Sequence, residues 1–114
     1  MHDCLFCKIV SGEIEPQIVL ETEQVLAFKD IHPAAATHVL VIPKRHIAGM
    51  EDVVTGDAML LGELLLVAKA AAARTGIAKT GYRLVINTGE NAGQSVFHLH
   101  VHVLGGRKMA WPPG

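Results

Sequence analysis

An α+β fold is what this 114-residue chain predicts: a five-stranded, mainly antiparallel sheet with one long helix on a face and a short N-terminal helix. Three observations carry the expectation. Several short apolar segments lie between turn-forming residues. A single stretch, Asp57 to Arg74, is long and apolar enough on one side to pack as a helix. No repeat, low-complexity segment or linker interrupts the chain, so residues 1–114 read as one domain.

The elements follow in order. Leu5 to Ser11 form a short opening turn or helix closed by Gly12. Ile18-Val19-Leu20 and Val25-Leu26-Ala27-Phe28 are two short strands around the polar turn Glu21-Thr22-Glu23. After the loop His32 to Ala36, His38 to Ile42 is a third strand, stopped by Pro43. The long helix has Thr55 as its cap, Gly76 as its terminator, and Leu60, Leu61, Leu64, Leu65, Ala68 and Ala72 as its apolar face. Tyr82 to Thr88 is a fourth strand and Val96 to Leu104 a fifth, ended by Gly105 and Gly106.

The fifth strand carries the chemistry. In His98-Leu99-His100-Val101-His102-Val103-Leu104, alternation sends the three histidines to one face and the aliphatics to the other. Neighbouring imidazoles then stand roughly 6.5–7 Å apart along the chain, close enough to share one phosphate-sized ligand. A metal-binding face or an exposed polar face would show the same pattern. Imidazole is also the side chain suited to nucleophilic and proton-transfer work near neutral pH. Just upstream, Gly93-Gln94-Ser95 joins a glycine, which lets backbone N–H groups approach an anion, to two side-chain donors. Beside three histidines, this loop reads as a phosphate cradle.

Composition excludes several classes. Hydrophobic residues make up 50% and charged residues 18%, with a net charge of −1, as in an ordinary soluble protein and unlike a nucleic-acid scaffold. Pro43-Lys44-Arg45-His46 is too short for a basic patch. Ala58 to Ala73 is interrupted by Gly62, Glu63 and Lys69, so it reads as a buried helix and not a membrane span. Met1-His2-Asp3-Cys4 does not resemble an export signal, which points to a cytoplasmic, reducing setting.

Cys4-Leu5-Phe6-Cys7 leaves three readings open. A redox pair usually follows a strand, and none precedes this one. The spacing suits half of a zinc site, which needs two more ligands. Two free thiols remain the plain alternative. His2 and His32 read as surface residues, and His38 either supports the histidines from behind or simply packs.

The run Gly93 to Arg107 resembles the signature of the histidine-triad (HIT) nucleotide-binding proteins, and the tail Met109-Ala110-Trp111-Pro112-Pro113-Gly114 resembles their Hint branch. Ala27-Phe28-Lys29-Asp30-Ile31 and Thr37 to His46 match the same family pattern. The resemblance implies a HIT-like fold and a purine nucleoside phosphoramidase that cleaves the P–N bond of adenosine 5′-phosphoramidates, and that also hydrolyses aminoacyl-adenylates, through a nucleotidyl-histidine. It implies His100 as nucleophile, assisted by His98, His102 or Ser95. Phosphate contacts would come from Gly93, Gln94, Ser95 and His102, a ribose contact from Asp30, and a further nucleotide contact from Asn87. Leu5, Phe6, Ile9, Phe28 and Ile31 would form the slot for the base. It also implies structural zinc on Cys4, Cys7, His46 and His98, no catalytic metal or organic cofactor, and a homodimer. The dimer would join through helix Asp57–Arg74 and strand Tyr82–Thr88, with Trp111 approaching the partner's site. Two other functions fit the triad: a dinucleotide polyphosphate hydrolase, and a nucleotide-binding adaptor whose turnover is incidental.

Overall fold

The computed structural model describes residues 3–114, so His2 lies outside the described residues. Five strands form one sheet: β1 (Ile18–Glu21), β2 (Val25–Lys29), β3 (Thr37–Pro43), β4 (Tyr82–Val85) and β5 (Val101–Gly105). Their order is β1-β2-β3-β5-β4, and every neighbouring pair is antiparallel. Two α-helices accompany it, α1 (Leu5–Ser11) and α2 (Ala58–Arg74).

Alternation divides the central strands between two cores. Val25 and Ala27 of β2, Val39 and Val41 of β3, and Val101 and Val103 of β5 pack against α2. Leu26, Phe28, Leu40 and Ile42 turn to the other face, where Phe6 and Ile9 of α1 meet them. Both faces of β2 and β3 are therefore dry, which is why those segments are apolar without a polar alternate. Each such side chain taken from water contributes roughly 1.5–3 kcal/mol.

Helix α2 ends as its sequence predicts. Gly76 adopts φ 84°, and the amides of Gly76 and Ile77 return to the carbonyls of Ala73 and Ala72. That is the paired hydrogen bonding of a glycine-terminated helix, with Ile77 buried behind it. Its start differs from expectation. Thr55 does not cap; Thr55–Asp57 form a 3-10 turn, and the Asp57 carboxylate accepts the Val54 amide at 3.0 Å while holding Arg45. Leu65, expected on the packed face, is half exposed. It lies about 100° round the helix from Leu64, beyond the arc that meets the sheet.

Two strands are shorter than predicted. β4 stops at Val85, opposite His102, and β5 begins at Val101, so His98 and His100 lie ahead of the ladder. For β5 the reason is Pro43 at the end of β3, which has no N–H to continue the pairing. Beyond Val41↔Val101, the Leu99 amide bonds the Ile47 carbonyl instead. Side-chain alternation nevertheless persists: Leu99 is buried in the α2 core, while the rings of His98 and His100 contact Phe6 on the opposite face.

Candidate active site

The three histidines are positioned differently from one another. His98 is fully buried; its Nε2 lies 2.8 Å from the Pro43 carbonyl, and its ring crosses that of His46 at 5.0 Å. Burial in this setting lowers its pKa. His100 is buried, and its Nδ1 is 2.7 Å from the carbonyl oxygen of His98. Only a donor nitrogen can bond a carbonyl, so Nδ1 carries a proton, and in the neutral ring Nε2 keeps its lone pair. His102 is half-buried, its ring 4.9 Å from that of His100, and burial first, then His100 and His38, push its pKa down to about 4.

A slot of about 460 Å³ opens in front of His100 and His102. Of the residues predicted to hold nucleotide, Leu5, Phe6, Ile9, Phe28, Asp30, Ile31, Ser95, His100 and His102 all line it. Phe6 packs edge-on against Phe28 at 5.6 Å, giving the slot an aromatic wall. Asp30 stands at the wall with its Oδ1 accepting the His32 amide at 2.9 Å and its Oδ2 3.5 Å from His38 Nε2.

Asn87, Gly93 and Gln94 do not line the slot. The Gln94 amide is committed elsewhere: its Nε2 donates to the carbonyls of Ala48 and Val96, and its Oε1 accepts the Gly89 amide. The backbone amides of Gly93 and Gln94 close the loop onto Glu90 and Gly89. Gln94 thus braces the loop, and the donors it presents to an anion come from Ser95, whose hydroxyl is the only one in the slot's lining. The Asn87 amide instead lies 3.5 Å from Nε2 of His102.

The slot also includes residues that sequence reasoning missed: Ile14, Glu15, Pro16, Gln17, Lys29, His32, Leu40 and Val96. Leu40 was legible, because it shares the face of Phe28 across an antiparallel pair, Phe28↔Leu40. His32, read as a plain surface residue, reaches the slot because the Asp30 carboxylate holds its amide in a turn. No local signal announced it.

A second cluster lies behind His98. Donor atoms of Cys4, Cys7, His46 and His98 all fall within 4.8 Å of one another. The edges are 3.4 Å from Cys4 Sγ to His98 Nδ1, 3.6 Å from Cys7 Sγ to His98 Nδ1, and 3.2 Å from Cys7 Sγ to His46 Nδ1. Tetrahedral coordination with metal–sulfur near 2.3 Å and metal–nitrogen near 2.0–2.1 Å would set such edges at about 3.5 Å. The Pro43 carbonyl fixes the proton of His98 on Nε2, leaving Nδ1 free for the cluster, the usual support of a ligating histidine. The donor set fits a tetrahedral metal.

A third grouping, Asp30, His38 and His102, also brings three donors together. It does not suit a metal. The Ala34 amide donates to His38 Nδ1 at 2.9 Å, so a neutral His38 carries its proton on Nε2, the atom 2.8 Å from His102. That nitrogen has no lone pair to offer.

Known proteins resemble this chain in sequence and in fold. A family model described as HIT domain matches residues 11–109. A 14 kDa zinc-binding protein of Zea mays is 50% identical over 117 residues, covering 96% of this chain and 87% of that protein. A crystal structure of a HIT family hydrolase from Legionella pneumophila superposes with TM-score 0.94 at 52% identity, covering 98% of this chain and 100% of that one. A histidine triad nucleotide-binding protein from Candida albicans superposes at 0.83 with 33% identity, over 96% and 83% of the two chains.

Proposed function

The chain belongs to the HIT domain family, and on that premise we propose that it hydrolyses the P–N bond of purine nucleoside 5′-phosphoramidates, and the acyl phosphate P–O bond of aminoacyl-adenylates. The observation that carries the reading is the bond from His100 Nδ1 to the His98 carbonyl, which presents an unprotonated Nε2 at the catalytic end of the slot.

The base lies between Phe6, Ile9, Phe28 and Ile31, and the ribose hydroxyls reach Asp30. Nε2 of His100 attacks phosphorus, and the imidazolium so formed keeps its Nδ1–H on the His98 carbonyl. The P–N bond breaks and the nitrogen leaves as an amine, which requires a proton as it departs. In this reading the Ser95 hydroxyl, in the slot's lining, relays that proton from solvent water. Water then cleaves the nucleotidyl-His100 bond, releasing nucleoside monophosphate and restoring the imidazole.

Cys4, Cys7, His46 and His98 hold structural zinc in this reading, supported by the donor geometry and by the zinc-binding relative. When bound, zinc ties the N-terminal helix to the residue whose carbonyl orients His100. The chain works as a homodimer. Met59, Leu66, Leu84 and Ile86 leave apolar surface on α2, on β4 and just after it. Trp111 is largely exposed and does not line the slot of its own chain, which suits a reach toward the partner's site.

Steady-state turnover of a fluorogenic adenosine phosphoramidate, measured beside diadenosine polyphosphates, tests the reading. Turnover of the phosphoramidate at the higher kcat/KM is expected. Preference for the dinucleotides would make it a polyphosphate hydrolase, and nucleotide binding with no turnover of either would make it an adaptor.

A further inference from the structure

Cys4 and Cys7 bracket two residues, Leu5 and Phe6, that both line the nucleotide slot. Phe6 stands edge-on to Phe28 at 5.6 Å and to His100 at 5.1 Å, so one ring joins the wall of the slot to the attacking imidazole. Cys4 immediately precedes α1, and Cys7 lies in its first turn. The Cys4 sulfur accepts the Cys7 amide at 3.3 Å, and the two sulfurs lie within 4.8 Å of each other. Joining them asks for no more than about 3 Å of movement.

Access differs between the two sulfurs. Cys4 lines an open hollow of about 360 Å³ with Asp3, Leu5, Ser95, Val96 and Phe97, whereas Cys7 lines neither that hollow nor the slot. A small oxidant arriving from solvent meets Cys4 first, with Cys7 behind it.

We propose that Cys4 and Cys7 form a reversible oxidation site, at which hydrogen peroxide closes a disulfide, expels the zinc and weakens the nucleotide slot. The inference rests on the zinc and nucleotide readings. The Cys4 thiolate attacks one peroxide oxygen, the O–O bond breaks, and a sulfenic acid forms as water leaves. The Cys7 thiolate then attacks that sulfur, the S–O bond breaks, and a second water departs. The sulfurs give up two electrons, and the peroxide takes them together with two protons from solvent. His46 and His98 alone are too few donors for structural zinc, so the ion is released. A dithiol reductant and fresh zinc reverse the change.

The consequence falls on binding. Drawing the sulfurs together moves both ends of Leu5-Phe6 and shifts the Phe6 ring from its place in the slot. The Pro43 carbonyl still holds Nε2 of His98, and the His98 carbonyl still holds Nδ1 of His100. The attacking nitrogen keeps its orientation while the wall beside it moves.

The test uses the full chain, zinc-loaded and treated with hydrogen peroxide, followed by intact mass, zinc release to a chromogenic chelator and calorimetric titration with AMP. The mass should fall by two hydrogens with one zinc released per disulfide, and the Kd for AMP should rise roughly 10-fold. Dithiothreitol with zinc should restore both. Reduced protein stripped of zinc should bind AMP nearly as the loaded protein does, which assigns the loss to the S–S bond. Cys7→Ser should stop at a sulfenic acid on Cys4 that dimedone traps; if that variant does not fold, the wild-type masses decide. Added oxygen without a disulfide, or a disulfide with zinc retained, would overturn the proposal. So would oxidised protein that binds AMP as tightly as reduced protein, a result that leaves the nucleotide reading standing. Reduced protein that binds no AMP, or takes up no zinc, would instead bring down the nucleotide or the metal reading and the proposal with it.

Discussion

The carbonyl oxygen of His98 lies 2.7 Å from Nδ1 of His100, so the first histidine of the triad orients the second through its backbone while its own ring faces Cys4 and Cys7. One residue thereby joins the Cys4–Cys7–His46–His98 cluster to the proposed nucleophile.

His100→Asn or His100→Gly should abolish turnover while leaving the fold and nucleotide binding largely intact. Loss of a covalent nucleophile costs several kcal/mol of barrier, roughly 10³-fold or more in rate. Steady-state kinetics beside isothermal titration with nucleoside monophosphate checks this. Near wild-type turnover would remove His100 from the role.

Protein purified without chelator should contain one zinc per chain by elemental analysis. Because a ligand bound to the native state stabilises it, Cys4→Ser with Cys7→Ser should lower Tm. Mild chelation should reduce Tm more than it reduces turnover, since the cluster that would hold the metal lies behind His98 and not in the slot. Metal-free protein together with an unchanged melt in the double variant would rule the site out.

Light scattering at micromolar concentration should give the dimer mass. Leu66→Glu, which charges an exposed apolar position on α2, should shift the molecule to monomer without lowering helix content. A monomer mass for the wild type would refute the assembly.

Stability should fall as pH drops from about 6.5 toward 4. The folded-state pKa of His102 is pushed down to about 4 and that of His38 is lowered, chiefly by burial in both cases. In that window the unfolded chain binds protons that the folded chain refuses, so unfolding free energy decreases as pH decreases. His102→Gln should flatten the dependence in a Tm-against-pH series. An unchanged slope would place the acid sensitivity elsewhere.

Much of the site was legible because period-two alternation survives a broken ladder. His98, His100 and His102 share a face although only His102 sits in β5. The apolar partners of the slot were legible for the same reason, since Phe28 and Leu40 are cross-strand neighbours of equal phase. The loop Gly93-Gln94-Ser95 was less transparent. Its composition announces an anion site, yet the Gln94 amide is consumed by Val96 and Gly89 within the loop and by Ala48, 46 residues away, a partner that no local pattern encodes.

Local chemistry alone determined the sheet-and-helix architecture, the glycine stop after α2, and the identity of the histidine face, because each depends on residues a few positions apart. Tertiary structure decided the rest. Cys7 meets His46 across 39 residues and His98 across 91, and His38 meets His102 across 64. Which nitrogen of each imidazole carries the proton is set by those distant partners and by backbone groups such as the Pro43 carbonyl and the Ala34 amide. A histidine's residue type supplies two equivalent options for its proton; only the three-dimensional arrangement of donors and acceptors around the ring selects one.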